Sequence, residues 1–153
     1  MSFTIGDLVV YNHNDELALI VEVKRKFDAS KEWAARLRRN ILAHGVVPRA
    51  KFFLLALPDR FYLWKDGNLP YEPNEPDYEV DPTPILQPYF DRLGISPEDM
   101  SGQSFELLIA SWLNELIHSD KAYEDLDYYQ SWLLDSGLSD ELVGGRLAHE
   151  AVV

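Results

Sequence analysis

Asp7, Glu22 and Lys24 are the side chains whose types and spacing could do chemistry in this chain. Two carboxylates that face one another can share a hard cation through oxygen donors at about 2.1 Å. Whether these two meet depends on how their strands pair. Leu17 to Lys24 alternates, with Leu17, Leu19, Val21 and Val23 on one face and Ala18, Ile20, Glu22 and Lys24 on the other. Both faces are apolar until the last residues, which marks a central strand. Asp7 opens the preceding strand, and a four-residue loop from His13 to Glu16 sets Asn12 opposite Leu17. That register brings Asp7 opposite Glu22, with Cβ atoms ~4.5–5.5 Å apart. A slip of one residue would bury Asp7 among Leu19 and Val21, so parity selects the register. The plain alternative is a Glu22–Lys24 salt bridge at a strand end, with Asp7 as a turn residue.

The elements that must position these groups follow in order. Ser30 is the expected N-cap for a helix reaching His44, with Gly45 and Pro48 as its stop. Trp33, Leu37 and Ile41 recur at helical spacing and are expected to face the sheet, leaving Arg36, Arg39 and Asn40 on another side. Those polar residues form either an ordinary solvated face or a phosphate clamp. Lys51 to Ala56 and Arg60 to Lys65 are expected strands, joined by the turn Pro58-Asp59-Arg60 and closed by Asp66, Gly67 and Asn68.

Asp7, a short hairpin, and Glu22-Val23-Lys24 at the end of an apolar strand resemble the PD-(D/E)xK nuclease superfamily, most nearly the N-terminal nuclease domain of type I restriction enzyme motor subunits. The resemblance covers residues 3–66. In that pattern an Asp starts the second strand, Glu-x-Lys ends the third, a helix follows and two more strands complete the core. Gly6 stands where the motif has Pro, and the family's first helix, which often supplies a further acidic ligand, has no counterpart before Phe3. The resemblance implies phosphodiester hydrolysis in DNA, with Mg²⁺ or Mn²⁺ held by Asp7, Glu22 and the Val23 carbonyl. Lys24 would orient or help deprotonate the attacking water, and Lys26, Arg36, Arg39 and Asn40 would contact the nucleic acid. The fold it implies is α/β, a restriction endonuclease-like core with a small mixed sheet, followed by a C-terminal helical region.

Three segments are expected: a core over 1–67, a Pro-rich acidic linker over 68–84, and an acidic helical region over 85–153. Five of the nine prolines, at 70, 73, 76, 82 and 84, fall in the linker, where they exclude a helix. Beyond it, Phe105, Leu108, Ile109, Trp112, Leu113, Leu116 and Ile117 form one apolar stripe. That stripe must pack on the core or on a second copy, and a homodimer is expected. Trp132 and Leu133 with Tyr129 suggest another helix ended by Gly137, and Ser139-Asp140-Glu141 caps a last one interrupted by Gly144-Gly145.

The net charge of −12 is divided unevenly. Residues 1–66 hold 11 Lys and Arg against 8 Asp and Glu, whereas residues 67–153 hold 3 against 18. Phosphate neutralisation therefore belongs to the first half. The chain has no cysteine, which excludes disulfides and thiolate metal sites. His13, His44, His118 and His149 stand at no metal-ligand spacing, no Gly-rich phosphate loop exists, and the serines read as caps. With no export signal and no apolar run of membrane length, a cytoplasmic location is expected. The rival functional class is a catalytically inactive nuclease-fold module that binds a protein partner in a defence or repair assembly, the acidic half covering the basic one.

Overall fold

The parity of Leu17 to Val23 is realised in a strand buried along almost its whole length, β2 (Leu17–Val23), at the centre of a six-stranded sheet. The computed structural model describes residues 4–43, 50–65, 74–119 and 130–152. In chain order, β1 (Thr4–Tyr11) pairs antiparallel with β2, and helix α1 (Lys31–Ala43) crosses to β3 (Phe52–Ala56), which lies parallel to β2. Strands β4 (Phe61–Trp64) and β5 (Tyr78–Val80) extend the sheet by antiparallel pairing. Helices α2 (Thr83–Leu93), α3 (Gly102–Ile117), α4 (Ser131–Ser136) and α5 (Leu138–Leu142) precede β6 (Arg146–Val152), which pairs with β1. The sheet order is β5-β4-β3-β2-β1-β6, a mixed α/β fold.

Strand alternation divides the core into two layers. Val9, Ile20, Phe53, Leu55, Tyr62 and Trp64 lie under α1. Leu8, Val10, Leu19, Val21, Leu54 and Leu63 lie with the buried residues of α2 to α5. The apolar run Phe52 to Leu57 is buried on both faces, as its unbroken hydrophobicity requires.

The α1 face is turned by about one residue from the expected stripe. Ala34, Ala35, Arg38 and Leu42 are buried, while Trp33, Leu37 and Ile41 flank them half-buried. The apolar pattern misled because Arg38 occupies a core position. Its guanidinium lies 5.8 Å from the Phe53 ring and 5.3 Å from the Trp64 ring, where weak hydration and aromatic faces make burial tolerable. Ser30 caps the helix, its hydroxyl accepting from the Trp33 amide at 3.1 Å. The expected stop at Gly45 and Pro48, the turn at Asp66 to Asn68, and Tyr129 lie outside the described residues.

Two further corrections concern strands. Within the expected linker, residues 78–80 form β5, docked by the Asp77 amide on the Leu63 carbonyl at 2.8 Å and by the Trp64 indole on the Asn74 carbonyl at 2.8 Å. The last expected helix is only five residues long, and the chain then turns through Gly144 at φ 72° into β6. A Cβ at Gly145 would fall 2.4 Å from the Tyr11 carbonyl oxygen, so only glycine permits this approach to β1. The seven-residue stripe of α3 is buried within the same chain, where Trp112 stacks between Phe61 at 5.3 Å and Trp132 at 6.2 Å. A second copy is not needed to cover it.

Candidate active site

The hairpin pairs Leu8 with Val21, Val9 with Ile20 and Val10 with Leu19, and the same register carried one residue further sets Asp7 against Glu22. At the loop end the pairing slips, Tyr11 rather than Asn12 facing Leu17. The Asn12 side chain causes this by accepting the Asn14 and Glu16 amides, each at 3.0 Å, which tightens the loop and leaves a bulge. The slip does not propagate to the other end.

There, β1 is irregular against β6 between Ile5 and Leu8, and Asp7 sits inside the irregularity. Its Oδ2 accepts the Val23 amide at 2.7 Å. In an extended strand the N–H and C=O of one residue project to the same side, so the Val23 carbonyl lies on the side of Asp7 as well. Glu22 is 8% exposed and lies beside Leu55, while the Lys24 ammonium reaches its Oε1 at 3.2 Å. Burial pushes the Glu22 carboxyl up from its ordinary range, repulsion from Asp7 adds to the rise, and Lys24 opposes it. A smaller repulsion comes from Glu106 on α3.

The loop after Lys24 is held from several sides. The Lys24 amide donates to the Ala56 carbonyl at 3.1 Å, the Asp28 amide to Asp59 at 2.9 Å, and the Tyr62 hydroxyl to the Ala29 carbonyl at 2.7 Å. The Arg25 guanidinium donates to the Glu98 carbonyl in the turn Pro97–Asp99, which brings the acidic half to the edge of the site. Lys26 lies 5.0 Å over the Trp33 ring. Arg36, Arg39 and Asn40 stand exposed on α1, about one to two turns beyond Trp33.

The structure thus brings Asp7, Glu22, Val23 and Lys24 together and leaves Arg36, Arg39 and Asn40 of α1 exposed. Sequence reasoning did not anticipate the weak repulsion of Glu22 by Glu106, which comes from a distant part of the sequence and which no local pattern signals. Among the described residues, no three of His, Cys, Asp and Glu form a group that could hold a metal. The donor set is two carboxylates with a backbone carbonyl nearby, all hard oxygens. That fits a small divalent ion, which binds through one or two carboxylates and takes its remaining ligands from water and substrate phosphate. The repulsion between Asp7 and Glu22 is the kind a cation relieves. His13, His118 and His149 are exposed, and His44 lies outside the described residues.

No protein-family model, no curated protein and no solved structure matches the chain.

Proposed function

We propose that the chain is a metal-dependent nuclease-like protein of the PD-(D/E)xK type, with a restriction endonuclease-like core, that hydrolyses phosphodiester bonds in DNA. The observation that carries this reading is Asp7 facing Glu22 at an irregular strand end, with Lys24 bonded to Glu22. The element order supports it: a hairpin, a helix and a strand parallel to the hairpin's second arm, then one more antiparallel strand.

Asp7, Glu22 and the Val23 carbonyl would hold Mg²⁺ or Mn²⁺, which when bound polarises the phosphate and acidifies a water. The Val23 amide fixes the Asp7 carboxylate, so the ligand is oriented before any ion arrives. Lys24, with its side chain 45% exposed, can reach solvent and hold or move the proton of the attacking water. Lys26, Arg36, Arg39 and Asn40 would take backbone phosphates, positioning the strand without reading its sequence.

A second reading, an inactive module of the same fold that serves an assembly through a protein partner, is favoured by one observation. The acidic half already reaches the edge of the site, through the Arg25 contact to the Glu98 carbonyl. Calorimetric titration of Mn²⁺ into the chain and into Asp7→Asn separates the two. Saturable binding that disappears in the variant supports the nuclease reading, and no saturable binding overturns it.

A further inference from the structure

The loop that leads from β2 toward α1 carries three bases in a row, Lys24, Arg25 and Lys26. They fan apart: Lys24 turns to Glu22 at 3.2 Å, Arg25 to the Glu98 carbonyl, and Lys26 to the Trp33 ring at 5.0 Å. Where each base stands depends on the course of the backbone through residues 24–29, which belong to neither a helix nor a strand. Something outside the loop must therefore fix that course.

The anchors all come from the hairpin of β3 and β4. At the start of the loop the Lys24 amide donates to the Ala56 carbonyl at 3.1 Å. At its end the Asp28 amide donates to Asp59 Oδ2 at 2.9 Å, and the Tyr62 hydroxyl donates to the Ala29 carbonyl at 2.7 Å. Asp59 lies in the turn between the two strands, which the Leu57 amide closes on the Arg60 carbonyl at 3.0 Å. Because β2 and β3 run parallel, with Glu22 beside Leu55 and Val23 beside Ala56, that turn stands at the same end of the sheet as the Asp7–Glu22 pair.

Two features show that the end anchors hold a set geometry against a cost. Asp28 takes φ 57°, the left-handed region that a residue with a Cβ seldom enters. Asp59 gives one carboxylate oxygen to that amide, while the other, Oδ1, is buried with no hydrogen-bond partner among the described residues. Backbone strain of this kind collects at functional sites, where the surroundings enforce it.

We propose that Asp59 and Tyr62 are positioning residues for the Asp7–Glu22 site: by fixing the left-handed turn at Asp28 they set the stance of Lys24, Arg25 and Lys26 toward a phosphodiester. Both act through the loop. The proposal rests on the nuclease reading of that site. It carries a sign that charge alone would not give. Asp59 is an acid beside a basic loop, so on electrostatic grounds its removal tightens duplex binding, whereas a positioning role makes binding weaker.

The test compares Asp59→Ala, Asp59→Asn and Tyr62→Phe with the wild-type chain, circular dichroism confirming that each is folded. Binding to a short fluorescent DNA duplex is read by anisotropy in EDTA, and cleavage of supercoiled plasmid is timed in Mn²⁺. Asp59→Asn keeps an acceptor oxygen for the Asp28 amide, and Tyr62→Phe removes the hydroxyl with no change of charge. The proposal expects Asp59→Ala to bind duplex at least ~5-fold more weakly and to cut at least ~10-fold more slowly, the loss that misplaced reacting groups produce. Tyr62→Phe is expected to lose in the same direction, and Asp59→Asn to bind no more weakly than wild type. Tighter or unchanged duplex binding by Asp59→Ala and Tyr62→Phe would overturn it, as would an Asp59→Asn as impaired as Asp59→Ala. If Asp59→Ala fails to fold, Tyr62→Phe decides. A wild type that cuts plasmid while the variants cut at its rate overturns the positioning role and leaves the nuclease reading standing. A wild type that does not cut overturns that reading, and the proposal with it.

Discussion

The Asp7 carboxylate accepts the Val23 amide at 2.7 Å, across the hairpin and one residue past Glu22. A side chain here takes an amide where β1 is irregular. The same contact fixes the direction of the carboxylate, so one hydrogen bond serves both the fold and the proposed ion site. Asp7→Ala would leave the Val23 amide without that acceptor and is expected to destabilise the chain by ~1–2 kcal/mol. Asp7→Asn keeps an acceptor oxygen and is expected to stay closer to wild type. Urea unfolding compares them, and equal midpoints for Asp7→Ala and wild type would contradict the role.

Glu22 gives a pH signature in the absence of divalent ions. Burial, then Asp7, raises its carboxyl above the value it has in the unfolded chain. The folded state therefore holds this proton more tightly. The stability associated with it is fully present below the ordinary glutamate range and is lost as pH rises through the folded value. Glu22→Gln cannot lose that proton. Its stability relative to wild type, measured by urea unfolding in EDTA, is expected to increase from acid to neutral pH, and a flat difference would contradict the burial of a strained carboxylate.

Gly145 tests the docking of β6. An alanine Cβ there would meet the Tyr11 carbonyl oxygen at 2.4 Å and that of Leu142 at 3.1 Å, both backbone atoms that cannot swing aside. Gly145→Ala is expected to destabilise the chain by ~1–3 kcal/mol. Gly102→Ala, at a helical position with nothing within 4 Å, is expected to be neutral or up to ~1 kcal/mol stabilising. A urea midpoint for Gly145→Ala equal to that of wild type would place β6 elsewhere.

What the sequence made legible follows the range of the interactions involved. The hairpin register towards Asp7 was readable because side-chain parity and the apolar run of β2 select one pairing there, whereas the slip at Tyr11 depends on hydrogen bonds of the Asn12 side chain. The Ser30 cap and the Gly137 stop were readable because each is a backbone geometry with few compatible residues. Strand β6 was not, since its partner β1 lies more than 130 residues earlier and Gly144-Gly145 reads locally as a helix break. The face of α1 was misplaced because a buried Arg38 counts as polar in any periodicity, and its shelter comes from Phe53 and Trp64 in later strands.

The central claim is tested most directly by incubating the chain with supercoiled plasmid in Mg²⁺ or Mn²⁺, beside Glu22→Gln and Lys24→Met. The account predicts nicked and linear products from wild type, none in EDTA or with Glu22→Gln, and cleavage at least ~100-fold slower with Lys24→Met, the loss expected on removing a positioned proton-transfer group. Intact plasmid with wild type, or cleavage that both variants leave unchanged, would contradict it.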